Sequence, residues 1–155
     1  GLAGAEKAEY DRRTYENLST IVSQCNEYGL VSAGEIMARG IINFEKATLE
    51  DLGLACRIAC ERGVDFIKAP YFGTPEQYHE QVVKHCYRPI CILGGAVMPE
   101  RDALQMIRNA LDAGCKGVVM GKNAFTRDNV TRFCAAIAKL IHEDCSVDQA
   151  MKELK

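Results

Sequence analysis

The sequence predicts an α/β fold built on a parallel sheet, and three observations carry that expectation. Short apolar runs alternate with amphipathic stretches along the whole chain. The apolar runs begin about 25 to 35 residues apart, a spacing that suits strand-helix-strand crossovers. Glycine or proline punctuates nearly every junction. Strands this apolar, alternating with helices, belong to a parallel sheet with covered faces.

Residues 6–28 open the chain as an amphipathic helix, with Tyr15, Leu18, Ile21, Val22 and Cys25 at helical spacing and Gly29 at the C-cap position. Leu30 to Ile36 reads as the first strand. Thr48-Leu-Glu-Asp51 is a capping box that starts a helix closing at Gly63. Val64 to Ala69 is the second strand, and Thr74-Pro-Glu-Gln77 caps a helix ending near Cys86. Pro89 to Leu93 is the third strand, broken by Gly94-Gly95. A helix from Pro99 to about Ala113 follows, then the strand Gly117 to Gly121 and a helix over Asn129 to His142. Ser146-Val-Asp-Gln149 caps a last short helix.

The expected organisation is one unit over residues 1–155: a leading helix and then four strand-helix repeats. Four parallel strands alone leave two open edges that invite pairing. A (β/α)8 barrel typically needs about 250 residues, so the expected architecture is the C-terminal half of such a barrel, strands five to eight. The first residue is Gly1 and not Met, which fits a chain that begins partway through a fold.

Composition narrows the function classes. Of 155 residues 48% are apolar and 26% charged, as in a globular domain. The formal net charge of −2 and the scattered Lys and Arg give no reason to expect nucleic acid or a membrane surface as partner. No apolar stretch approaches the roughly 18 residues of a membrane span, and no signal-peptide pattern opens the chain. The eight cysteines contain no CxxC pair. They read as reduced, small hydrophobes of a cytoplasmic protein. His79, His85 and His142 lack metal-ligand spacing.

Chemistry is expected at the C-terminal strand ends. In order these carry Glu35, Met37 and Arg39; then Lys68 and Tyr71; then Gly94-Gly95; then Gly121-Lys122-Asn123. Lys68 lies in "GVDFIKAPYFG", where apolar neighbours penalise an ammonium. A lysine desolvated in this way becomes a free amine able to attack a ketone and form an iminium. The competing reading is a strand-end lysine whose head reaches water. The two glycine pairs expose backbone N–H groups on consecutive loops, and with one cation these make a phosphate cradle.

Four stretches, "DFIKAPYFGTPEQY", "ICILGG", "ERDALQMIRNALDAGCKGVVMGKNAF" and "LIHEDCSVDQAMKEL", resemble the archaeal-type (DhnA-like) class I fructose-bisphosphate aldolase family, which includes a phospho-autoinducer-2 thiolase branch. "MPERDALQM" is closer to that branch. The likeness spans nearly the whole chain and matches the second half of the family's barrel. It implies Lys68 as the Schiff-base residue and Gly94, Gly95, Gly121 and Lys122 around the substrate phosphate. It also implies no metal or other cofactor, a phosphorylated sugar or ketone substrate, and a homo-oligomer. Two departures matter. The family pattern W-x-Y-P-R-G becomes "EIMARG", with Met37 in place of the acid/base tyrosine, so Glu35 or Tyr71 is the expected substitute. Lys122 replaces an arginine and loses its bidentate fork.

The resemblance leaves four functions open: a Schiff-base aldolase acting on a phosphorylated ketose or diketone, a thiolase-type acyl transfer to CoA, a non-catalytic half-barrel serving as a structural subunit, and a sugar-phosphate binding module without turnover. Each expects a second polypeptide or copy to complete the barrel.

Overall fold

The computed structural model describes residues 8–38 and 46–155. Helix α1 (Ala8–Tyr28) precedes strand β1 (Ala33–Glu35). Then come α2 (Leu49–Glu61), β2 (Phe66–Ala69), α3 (Pro75–Gln81) with a 3₁₀ turn at Val83–His85, and β3 (Ile90–Leu93). The chain continues through α4 (Glu100–Asp112), β4 (Gly117–Val119), the single turn α5 (Lys122–Phe125), α6 (Val130–His142) and α7 (Val147–Ala150), and ends in a 3₁₀ turn at Met151–Leu154.

All three predicted capping boxes form. The Thr48 hydroxyl accepts from Asp51 N–H at 3.1 Å while Thr48 N–H donates to the Asp51 carboxylate at 2.8 Å. Thr74 with Gln77, and Ser146 with Gln149, repeat the reciprocal arrangement. Each satisfies two backbone donors that a helix start leaves orphaned.

The four strands pair in parallel in chain order, β1-β2-β3-β4. Glu35 lies opposite Lys68, Lys68 opposite Cys91, and Cys91 opposite Gly117. In-register parallel partners point to one face, so the sheet divides cleanly. Ile67, Ala69, Ile90 and Ile92 are buried against the helices. The alternate positions Glu35, Phe66, Lys68, Cys91 and Leu93 are half-buried or exposed on the other side. Consecutive parallel strands joined by same-handed crossovers place their helices on a single face. A doubly wound sheet would reverse its order and cover both. The expectation of covered faces is therefore corrected: among the described residues one face is covered and one is open.

The core lies between the sheet and its helices, with Leu52, Tyr78, Leu104, Ile107, Phe133 and Leu140 fully buried. Helices α2 and α3 approach closely at Gly53, where a Cβ would stand 2.0 Å from the Gln81 carbonyl oxygen. At the N-terminal sheet edge the Asp65 carboxylate accepts from Ser32 N–H at 2.7 Å and from its hydroxyl at 2.8 Å, tying β1 to β2. These contacts hold the Asp65 carboxyl below the usual range, with the Ser32 backbone N–H as the chief cause.

Strand β1 is shorter than expected, because Leu30 and Val31 are exposed and Ser32 is committed to Asp65. Helix α3 stops at Gln81, where Val82 leaves helical geometry at φ −121°, and the predicted continuation to Cys86 is a 3₁₀ turn. Arg39 and Gly40 lie outside the described residues.

Candidate active site

Strands β1 and β2 bring Glu35 and Lys68 side by side on the open face. Lys68 Nζ stands 3.0 Å from Glu35 Oε1, with the Lys68 side chain 25% exposed and the Glu35 side chain 55% exposed. Direct cross-strand partners on one face sit close enough for this contact without strain. The surroundings of Lys68 thus include a carboxylate beside the apolar residues that the sequence places around it. On its other flank is Cys91, whose thiol burial pushes up, and beyond Cys91 the bare Gly117 keeps the face low.

The two glycine turns leave β3 and β4 at adjacent strand ends. Gly94 is buried, and a Cβ there would meet Met120 Cβ at 2.7 Å, so only glycine lets the first turn pass so close to the residue before Gly121. Gly95 has φ +64°, a left-handed conformation that glycine adopts without strain, and no atom lies within 4 Å of a Cβ built there. Gly121 and Lys122 are exposed at the second turn. Cys91 is in register with Lys68 and precedes Gly94 by three residues, so the turn starts about 10 Å along the sheet from Lys68. A lysine side chain and a three-carbon phosphate ester can span that gap together.

Tyr71 is not brought to this pair. Its ring packs on buried Tyr78 with centroids 4.9 Å apart, and Cys115, Glu76 and Asp112 act on its phenol electrostatically. Burial pushes its phenol above the ordinary tyrosine range. Its hydroxyl is buried and has no hydrogen-bond partner among the described residues. The strand ends at Ala69, and in the loop beyond it the Tyr71 ring settles on Tyr78, whose hydroxyl donates to the Pro70 carbonyl at 3.0 Å.

Asn123 stands among the strand-end residues in the sequence reading, which gives it no role of its own. It is fully buried and makes four side-chain hydrogen bonds. Its Nδ2 donates to the carbonyls of Gly94 at 2.6 Å and Ala96 at 2.7 Å, and its Oδ1 accepts from Met98 N–H at 3.1 Å and Arg127 at 2.9 Å. Its place directly after the second glycine turn was the available signal, but the partners lie 25 to 29 residues away for the loop contacts.

Among the described residues no group of three or more His, Cys, Asp and Glu is placed to hold a metal ion, and no helix is long and apolar enough to cross a membrane. His79 is engaged structurally, its Nδ1 lying 3.0 Å from the Ala113 carbonyl oxygen.

Comparison with known proteins agrees with the geometry. The DeoC/LacD aldolase family matches residues 2–127. The 3-hydroxy-5-phosphonooxypentane-2,4-dione thiolase of Klebsiella pneumoniae is 34% identical over 148 residues, covering 92% of this chain and 46% of its own length. The 2-amino-3,7-dideoxy-D-threo-hept-6-ulosonate synthase 1 of Archaeoglobus fulgidus is 31% identical, covering 88% of this chain and 50% of its own. Among solved structures, an archaeal fructose 1,6-bisphosphate aldolase superposes with a TM-score of 0.79 at 26% identity, covering 92% of this chain and 56% of that one. A related archaeal aldolase, solved with its catalytic lysine covalently bound to the carbinolamine intermediate, gives 0.78 at the same identity, with 90% and 56% covered. This chain thus spans about half the length of the relatives it matches. It belongs to the DeoC/LacD aldolase family.

Proposed function

We propose that the chain carries the Schiff-base part of a class I aldolase-type site, which cleaves or forms a carbon-carbon bond in a phosphorylated ketose or diketone. The observation that carries the reading is the Lys68–Glu35 pair on the open face, with the two glycine turns leaving the next strand and the one beyond it. Glu35 Oε1 is placed to take the ammonium proton before attack. The Lys68 amine then adds to the ketone carbon. Glu35 returns the proton to the carbinolamine oxygen, which leaves as water and gives the iminium. Glu35, a carboxylate again, takes the proton of the β-hydroxyl as the bond between the α and β carbons breaks; the β fragment leaves as an aldehyde, and the bond's electron pair becomes the enamine double bond while the C=N pair moves to nitrogen. Gly94, Gly95, Gly121 and Lys122 hold the phosphate, with Lys122 acting as a point charge without a fork.

A thiolase-type outcome, in which the acyl fragment passes to CoA, is the second reading. It is favoured by the thiolase relatives of Klebsiella pneumoniae and of Enterobacter, 34% and 33% identical.

We propose further that the fold is the strand-five-to-eight half of a (β/α)8 barrel. The open face would then be the lumen, closed by parallel strands from another polypeptide or a second copy of this chain. The apolar residues standing exposed along α1 and beside β1 support this: Ile21, Tyr28, Leu30 and Val31.

The test is to incubate the protein, with whatever chains accompany it, with radiolabelled dihydroxyacetone phosphate and then reduce with borohydride. Label should enter the native chain and not Lys68→Met. Equal labelling of the two would overturn the reading.

A further inference from the structure

Two glycine turns make one anion site only if they are held at a fixed separation, and the glycines themselves supply flexibility. What couples them lies beneath. Asn123, fully buried, grips the first turn through the Gly94 and Ala96 carbonyls while its own backbone belongs to the second. Arg127 adds a second clamp. Its Nε donates to the Asn123 carbonyl at 2.8 Å, and its Nη2 donates to the Met98 carbonyl at 2.7 Å as well as to Asn123 Oδ1. The guanidinium is itself seated over the Phe133 ring of α6, 4.7 Å from the centroid. Every bond crosses between the segments 94–98 and 121–127, or braces a residue that does so. A network in which every donor and acceptor of a buried side-chain amide is used, as here for Asn123, fixes geometry sharply.

We infer that Asn123 and Arg127 are positioning residues that lock the two glycine turns into one rigid anion cradle, and so set the preference of the site for phosphorylated over unphosphorylated ketones. The inference rests on the proposed function for the identity of the ligand, and on the hydrogen-bond network for the lock. Neither residue needs to touch the phosphate. Asn is required because two donors must reach carbonyls while one oxygen accepts from a backbone N–H. The near-isosteric Asp keeps the acceptors and loses the donors.

Asn123→Asp is the discriminating variant, with Arg127→Leu as the second. Two readouts separate the lock from the chemistry. The first is amide hydrogen exchange of residues 94–98 and 121–125 with and without inorganic phosphate. Phosphate should slow both segments in the native chain and neither in Asn123→Asp, while strand β3 and helix α6 exchange alike in the two proteins. The second is borohydride trapping with dihydroxyacetone phosphate against dihydroxyacetone. The native preference for the phosphorylated ketone should fall by roughly tenfold or more in each variant, with the dihydroxyacetone rate retained. A merely structural role would lower both rates together, and that result would overturn the inference. So would phosphate protection that is equal in native and variant, or absent from both. If the native chain traps neither ketone yet phosphate protection depends on Asn123, the Schiff-base reading fails and the lock stands.

Discussion

Replacing Tyr71 with Phe separates the two candidates for the proton-transfer role. The hydroxyl is buried and unpartnered among the described residues, and an unsatisfied buried polar group costs about 1–3 kcal/mol. Phe keeps the ring and its packing on Tyr78 at 4.9 Å, so the change removes the polar atom and little else. Part of the penalty is offset because the residue is only half-buried. A net stabilisation of about 1 kcal/mol is expected, which for a chain of this length raises the thermal midpoint by about 2–4 °C. Differential scanning calorimetry reads that shift, and borohydride trapping on the same preparation reads the chemistry. The Tyr71→Phe chain should label at the native rate, because Glu35 and not Tyr71 lies beside Lys68. A tenfold loss of labelling with an unchanged midpoint would refute the reasoning and restore Tyr71 to the site.

Other outcomes follow from the same contacts. Gly53→Ala gains about 1 kcal/mol of helix propensity but drives a methyl to within 2.0 Å of the Gln81 carbonyl oxygen, so denaturant melts should show a net loss of about 2 kcal/mol or more. Asp65, Glu76 and Glu80 have carboxyls held below their ordinary range, by the Ser32 backbone, the Glu76 backbone and the Lys84 side chain respectively. Folded pKa values below unfolded ones mean that their stabilisation is present above the unfolded value, about 4, and is lost as pH falls through the folded one. The midpoint should therefore drop below about pH 4, and less so in Asp65→Asn. At the alkaline end the sign is reversed: burial pushes the Cys115 thiol up to about 12. Its contribution is full below the ordinary thiol value and fades as pH rises toward 12. Thermal melts from pH 8 to 11 should decline, and less so in Cys115→Ala measured against its own pH 8 midpoint. On the proposed half-barrel, Leu30→Lys with Val31→Lys should weaken pairing with the strands proposed to close it, read by sedimentation, with the chain itself still folded.

What was legible in the sequence was local. Three capping boxes, each a contact across three residues, marked helix starts correctly, and the strand-helix alternation implied the parallel order. Lys68 was legible as an oddity in an apolar run. Glu35 was legible as an acid/base candidate, but its contact with Lys68 was not, because nothing in the spacing of residues 35 and 68 shows that β1 and β2 pair in that register. Tyr71 was assigned to the strand-end site by nearness in sequence, whereas in the loop beyond Ala69 its ring settles on Tyr78. Asn123 illustrates the remaining limit. Its type and position suggest a turn residue, and only the tertiary approach of the 94–98 loop makes it a hub.

The central claim is that Lys68 forms a covalent adduct with a phosphorylated ketone. Peptide mass spectrometry of the borohydride-reduced protein, treated with dihydroxyacetone phosphate, tests it most directly. One reduced adduct is expected, on the peptide containing Lys68, absent from Lys68→Met and diminished in Glu35→Gln. An adduct spread over surface lysines, or none where a parallel class I aldolase is labelled, would contradict it.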